Sequence, residues 1–95
     1  MVENMEVTSI SIYLVNNSAG KLRAIARVCL NDCLQLTSVR VYQGQKDLFV
    51  AYPIEHAGTE NEFRQIFYPV RRTLREYLEY EIVKKYKEMI KDYSK

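Results

Sequence analysis

The sequence predicts an α+β fold: an antiparallel sheet of four to five strands followed by a C-terminal helix. Three observations carry this. Up to Phe67 the apolar residues recur mostly with the two-residue period of strands, interrupted by clusters of turn-forming residues. From Thr73 onward they recur at helical spacing. No helical pattern lies between the strands, so the crossovers that parallel strands require are missing and neighbouring strands must run antiparallel.

The first strand is expected from Val7 to Val15, where Ile10, Ile12 and Leu14 alternate with Ser9, Ser11 and Tyr13. Asn16-Asn-Ser-Ala-Gly20 breaks the alternation with residues that tolerate turn conformations, including a positive φ at Gly20, and so predicts a hairpin. In the second strand Leu22, Ala24, Ala26, Val28 and Leu30 form one apolar face, while Arg23, Ile25, Arg27 and Cys29 form a partly basic one. Asn31-Asp32 predicts a tight turn into a third strand, Leu34–Tyr42. There the inward set changes from Leu34 and Leu36 to Val39 and Val41, a phase change that predicts a bulge or bend around Thr37-Ser38.

Leu48–Tyr52 reads as a short strand buried on both faces because its apolar run is continuous, and Pro53 ends it. Ile54–Asn61 reads as an exposed loop, and Glu62–Phe67 as a fifth, short strand before Pro69. Thr73-Leu-Arg-Glu76 has capping-box spacing, which predicts a helix starting at Thr73. Its stripe is Leu74, Tyr77, Leu78, Ile82, Tyr86, Met89, Ile90 and Tyr93, and it must pack on the sheet or on another chain.

At 95 residues the chain fits one domain, residues 1–95 with a core over 6–93. Apolar residues at 47% and charged residues at 27% place it among globular proteins and exclude disordered and fibrous classes. The acidic start Met1-Val-Glu-Asn-Met5 lacks the basic and apolar regions of a secretory signal, and no later run reaches membrane-spanning length. A cytoplasmic location with no membrane partner is expected. Cys29 and Cys33 are too few for a disulfide framework, and His56 is the sole histidine, so neither a metal nor a cofactor is expected.

Charge is distributed unevenly. Residues 1–70 hold six basic and seven acidic side chains, a net of −1, whereas residues 71–95 hold eight and five, a net of +3. The basic character therefore lies at the C-terminus.

Four stretches resemble the stage V sporulation protein G family, also called the septation protein family. They are Val7-Thr-Ser-Ile-Ser-Ile-Tyr13, Lys21-Leu-Arg-Ala-Ile-Ala26, Leu48-Phe-Val-Ala-Tyr-Pro53 and Glu62-Phe-Arg-Gln-Ile-Phe-Tyr-Pro69, in the family's order and spacing, within a resemblance that covers roughly residues 6–85. The resemblance implies a homodimer with a curved antiparallel sheet and a C-terminal helix, a bacterial regulator of septation, sporulation or gene expression. It also implies direct DNA or RNA binding by some members, and no enzymatic activity. The sequence departs from the family pattern at Tyr52-Pro-Ile-Glu-His-Ala-Gly58, where Glu55 and His56 replace a basic pair in a loop implicated in nucleic-acid contact. Phe67-Tyr68-Pro69 stands where the family has Ala-His-Pro. The family's binding loop is therefore not transferred to this chain.

Other basic surfaces remain as candidates. Tyr80, Lys84, Lys87 and Lys91 share a helix face opposite the apolar stripe, suited to neutralising phosphates with little base reading. The alternative is a solvated lysine face that favours the helix dipole. Arg71, Arg72 and Arg75 cluster at the helix start, where like charge opposes the dipole and calls for an anion, either phosphate or the neighbouring Glu76 or Glu79. Arg23 and Arg27, with Arg40, extend the candidate patch on the outer sheet face, although exposed strand positions are often charged. Of the eight tyrosines, those on the helix stripe read as core or dimer packing, while Tyr13 and Tyr42 are the candidates for exposed rings that stack bases.

Catalysis has little support: His56 falls in the expected loop, no Ser/His/Asp spacing is recognisable, and no glycine-rich phosphate loop is present. The expected function is sequence-tolerant DNA or RNA binding by a homodimer. The competing reading is a protein-interaction module that docks on a division or regulatory partner.

Overall fold

The computed structural model describes residues 5–15, 20–58 and 62–93. In chain order the elements are β1 (Val7–Leu14), β2 (Leu22–Leu30), β3 (Leu34–Gln43), β4 (Leu48–Ala51), β5 (Ile54–His56), β6 (Phe63–Gln65) and α1 (Arg72–Tyr93). Strands β1 to β4 form an antiparallel meander in sequence order, and β5 and β6 pair in a separate two-stranded sheet. The fold is α+β, as the alternation and the missing crossovers require.

One face of the four-stranded sheet is the core. Ile12, Ala24, Ala26, Val28, Leu30, Val39, Val41 and Val50 are buried there against Leu78, Ile82 and Tyr86 of the helix. Ala24 and Ala26 are fully buried, and their small side chains let the helix approach the centre of the sheet. The Val7 N–H donates to the Tyr77 hydroxyl at 2.9 Å, tying the start of β1 to the helix. The stripe thus packs on its own sheet through Leu78, Ile82 and Tyr86, with Leu74, Tyr77 and Met89 half-buried. Ile90 is exposed, and the Tyr93 side chain lies outside the described residues.

The turn at Asn31-Asp32 forms as expected. Both residues have positive φ, 52° and 53°, and the Cys33 N–H donates to the Leu30 carbonyl at 3.0 Å, the arrangement of a type I′ turn. Short polar side chains make this conformation tolerable. The turn is also clamped to the start of β1: Asn31 Oδ1 accepts from the Glu6 N–H at 2.9 Å, and the Thr8 hydroxyl accepts from the Asp32 N–H at 3.0 Å. Thr8 is the extra residue of a bulge, since Val7 pairs with Leu30 and Ser9 with Cys29.

The phase change in β3 is a second bulge. Ala26 pairs with Val39 and Val28 with Leu36, so Arg27 faces both Thr37 and Ser38, and Ser38 sits at φ 62°. The extra residue keeps Leu36 and Val39 on the same face. The predicted Asn16–Gly20 turn lies outside the described residues except for Gly20, although the antiparallel β1–β2 pair it joins is formed.

Four local expectations are corrected. Strand β4 is buried on one face only: Val50 is 9% exposed but Phe49 is 49% exposed, because the helix covers just one side of the sheet. Ile54–Asn61 is not a loop throughout, since Ile54–His56 pairs with Phe63–Gln65 through main-chain bonds; residues 59–61 lie outside the described set. The expected fifth strand is accordingly shorter and lies in the small sheet. The helix begins before Thr73: the Arg75 N–H donates to the Arg71 carbonyl at 3.0 Å, which makes Arg71 the cap residue and places Thr73 within the first turn. The carboxylate of Glu76 is drawn instead to the Arg72 guanidinium, so the capping box does not form.

Among the described residues no helix is long and apolar enough to cross a membrane.

Candidate nucleic-acid interface

The basic residues singled out in the sequence fall on three separate surfaces. The first is the outward side of α1. Burial of Leu78, Ile82 and Tyr86 fixes the rotation of the helix, so Tyr80, Lys84, Lys87 and Lys91 point away from the sheet. They line a shallow groove of about 390 Å³ together with Val83 and Glu88. Lys84 Nζ lies 5.9 Å from the centre of the Tyr80 ring, which is 63% exposed. Among the described residues none of the three lysines is in an ion pair.

The second surface is the start of the helix. Arg71, Arg72 and Arg75 are all exposed. Arg72 Nε is 3.4 Å from Glu76 Oε2, an i,i+4 pair in open solvent and thus a weak one. Arg75 and Lys84 are nine residues apart, which on a helix of 3.6 residues per turn puts them on opposite sides. The arginine cluster and the lysine groove therefore do not form one patch. Arg75 faces the sheet layer near Tyr52, whose hydroxyl is buried without a hydrogen-bond partner. Burial pushes the Tyr52 phenol up to about 12; the Glu79 charge adds to this and the Arg75 charge opposes it.

The third surface is the sheet face opposite the helix. Arg27 and Arg40 are exposed there, on the side away from buried Ala26, Val28, Val39 and Val41. Arg23 is half-buried, and its Nη1 donates to the Gly20 carbonyl at 3.1 Å.

The hairpin carrying the departed residues contains one cross-strand ion pair and stays acidic overall. Glu55 and Arg64 are cross-strand partners with Arg64 Nε 3.4 Å from Glu55 Oε2, and the His56 ring meets Phe63 edge-on at 4.6 Å. Glu55 is thus compensated locally, while Glu60 lies outside the described residues. Next to the hairpin, Leu34, Leu36, Tyr52, Phe67, Val70 and Leu74 help line an apolar groove of about 400 Å³. Val70 on its rim is 82% exposed.

Sequence reasoning missed Phe49 as a surface ring, because it lies in the run read as buried on both faces. The available signal was the shortness of that run between Gly44 and Pro53, which suits an edge strand. Phe49 stacks on Tyr42 with ring centres 5.4 Å apart and planes 17° from parallel. No group of acidic, cysteine or histidine side chains among the described residues is arranged to hold a metal ion.

The SpoVG family model matches residues 5–88. A relative named septation protein SpoVG from Phytoplasma australiense is 31% identical over 86 residues, covering 90% of this chain and 88% of the relative. The protein of that name from Agathobacter rectalis is 32% identical over 88 residues, covering 93% and 99%, and one from Borreliella burgdorferi is 36% identical over 84 residues, covering 86% of each. The family match spans the four-stranded sheet, the hairpin and most of the helix, and so the chain belongs to the SpoVG family.

Proposed function

We propose that this SpoVG-family chain is a cytoplasmic regulator of septation, sporulation or gene expression that works by binding, not catalysis, and holds DNA or RNA through the phosphate backbone as a homodimer. The observation that carries the reading is the groove on α1, where three lysines without ion-pair partners among the described residues line one outward face. Such a row neutralises phosphates and releases counterions without reading bases. Arg71 and Arg75 at the other end of the helix add long-range attraction. The names of the relatives support the link to septation. The test is fluorescence anisotropy with random-sequence DNA and RNA duplexes at low and moderate salt. Affinity that falls steeply with salt and differs little between sequences is expected; no salt-sensitive binding would remove the reading.

A second reading is favoured by the apolar groove beside Val70. A surface of this kind suits a protein contact, either the second protomer or a division or regulatory partner. Docking through it would be nearly insensitive to salt. Sedimentation at micromolar concentration tests the dimer, and a monomer there would remove that part of the proposal.

A further inference from the structure

Among the described residues no element packs over the sheet face opposite the helix, and its only charges are basic. Strands β1 to β4 contain three arginines and no carboxylate. Arg27 and Arg40 stand exposed on the uncovered face without ion pairs among the described residues. The same face carries aromatic rings. Tyr13 is 51% exposed and Phe49 49% exposed, and Phe49 is held flat against Tyr42. The ring is also backed by Gly44, where a Cβ would come within 3.3 Å of it and 2.9 Å of the Asp47 carbonyl. Along one row across the sheet, Tyr13 pairs with Ile25, Ile25 with Arg40, and Arg40 with Ala51. Beside Arg40 and Tyr42, a cleft of about 370 Å³ opens between β4 and the β5–β6 hairpin.

We infer that this face is a stacking platform for single-stranded nucleic acid, distinct from the phosphate-tracking lysines of α1. Strands about 4.8 Å apart and a rise of about 3.4 Å per residue place Tyr13 roughly 12 Å from the Tyr42–Phe49 pair, room for one unstacked nucleotide between two stacked ones. Exposed rings offer π-faces to bases of any identity, while Arg40, in the row of Tyr13 and two residues from Tyr42, and Arg27, on the other side of that row, meet the backbone. Charge complementarity selects this occupant: a surface with arginines and no carboxylates repels a second copy of itself, whereas a polyanion neutralises it. A base-paired duplex keeps its bases stacked and gains nothing from the rings. The platform rests on the proposal that the chain binds nucleic acid, and the experiment separates the two.

The probe is labelled oligo(dT) of about twelve nucleotides, within the range that single-strand platforms cover, compared with a duplex of the same length. Tyr13→Thr and Phe49→Thr keep strand-compatible residues at both positions. Each substitution is expected to weaken oligo(dT) binding by about fivefold to a hundredfold. The duplex, held by the helix lysines, keeps its affinity. Arg27→Gln with Arg40→Gln should lower the single-strand salt slope by about 1.4. In the unsubstituted chain, oligo(dT) should shift the backbone amide resonances of Tyr13, Ile25, Arg27 and Arg40, a readout independent of whether the variants fold. Shifts confined to α1, with the ring variants binding as the parent does, would overturn the platform and leave nucleic-acid binding standing. Sheet-face shifts that follow dilution and not oligo(dT) would assign the face to a second copy and overturn it too. Failure of the parent to bind either probe at low salt would remove both.

Discussion

The lysine groove yields a number that can be checked. Lys84 and Lys91 are seven residue steps apart, about 10 Å at 1.5 Å per residue. One DNA strand carries a phosphate about every 3.4 Å along the axis, so a helix lying along the backbone brings three lysines against about three phosphates. Each neutralised duplex phosphate contributes about 0.9 to the slope of log affinity against log salt, so replacing all three lysines with glutamine should flatten the slope by about 2.7. Between 50 and 200 mM salt the parent should then lose about fortyfold more affinity than the variant. The three side chains are exposed, so the substitutions leave the core intact and the melting midpoint should stay within about 0.5 kcal/mol equivalent. Replacing Arg71, Arg72 and Arg75 is a useful contrast: Arg72 already has Glu76 beside it, and the three face a different direction from the lysines. Anisotropy of a random-sequence duplex over a salt series measures both variants. A lysine variant that folds normally and keeps the parent's slope would refute the assignment of the groove to phosphate.

Three further outcomes follow from the fold. Ile82→Ala should cost about 2–5 kcal/mol in chemical denaturation, because Ile82 is 1% exposed between helix and sheet and its loss leaves a cavity. Thr73→Ala should change stability by no more than about 0.5 kcal/mol, since Arg71 and not Thr73 caps the helix; a loss above 1 kcal/mol would restore Thr73 as the cap. Burial raises the Tyr52 phenol from the ordinary 10.0 to about 12, so above pH 10 the unfolded chain ionises first and stability falls as pH rises through 12. Tyr52→Phe should remove that alkaline loss from the melting profile. At neutral pH it should be neutral or mildly stabilising, because the buried hydroxyl has no partner to lose.

Much of the architecture could be read from local signals. Period-two alternation with turn clusters placed β1, β2 and β3, and the Asn31-Asp32 turn followed from two residues that accept positive φ. The β3 bulge was visible because a one-residue phase change would otherwise move Val39 and Val41 out of the core. The helical stripe contained the buried Leu78, Ile82 and Tyr86, but also Ile90, which is exposed. These features depend on neighbours in sequence, where steric and hydrophobic preferences act directly.

What escaped depends on neighbours in space. A continuous apolar run does not reveal which of its faces will be covered, and the helix, packed on the Val50 side of the sheet, left Phe49 in solvent. Three-residue strands such as β5 and β6 are too short to show a period, and their pairing rests on main-chain bonds that any side chain permits. The capping-box spacing was present, but the first helical bond runs from the Arg75 N–H to the Arg71 carbonyl, and Glu76 turns to Arg72. The candidate site shows the same division. The sequence by itself determined that basic side chains concentrate toward the C-terminus and that Lys84, Lys87 and Lys91 share one face, since helical geometry alone sets that. Only the tertiary structure decided that Arg71, Arg72 and Arg75, the lysine groove, and Arg27 with Arg40 lie on three surfaces. Packing the apolar stripe onto one side of the sheet turns the lysines outward and leaves the other side of the sheet, with its arginines and rings, uncovered.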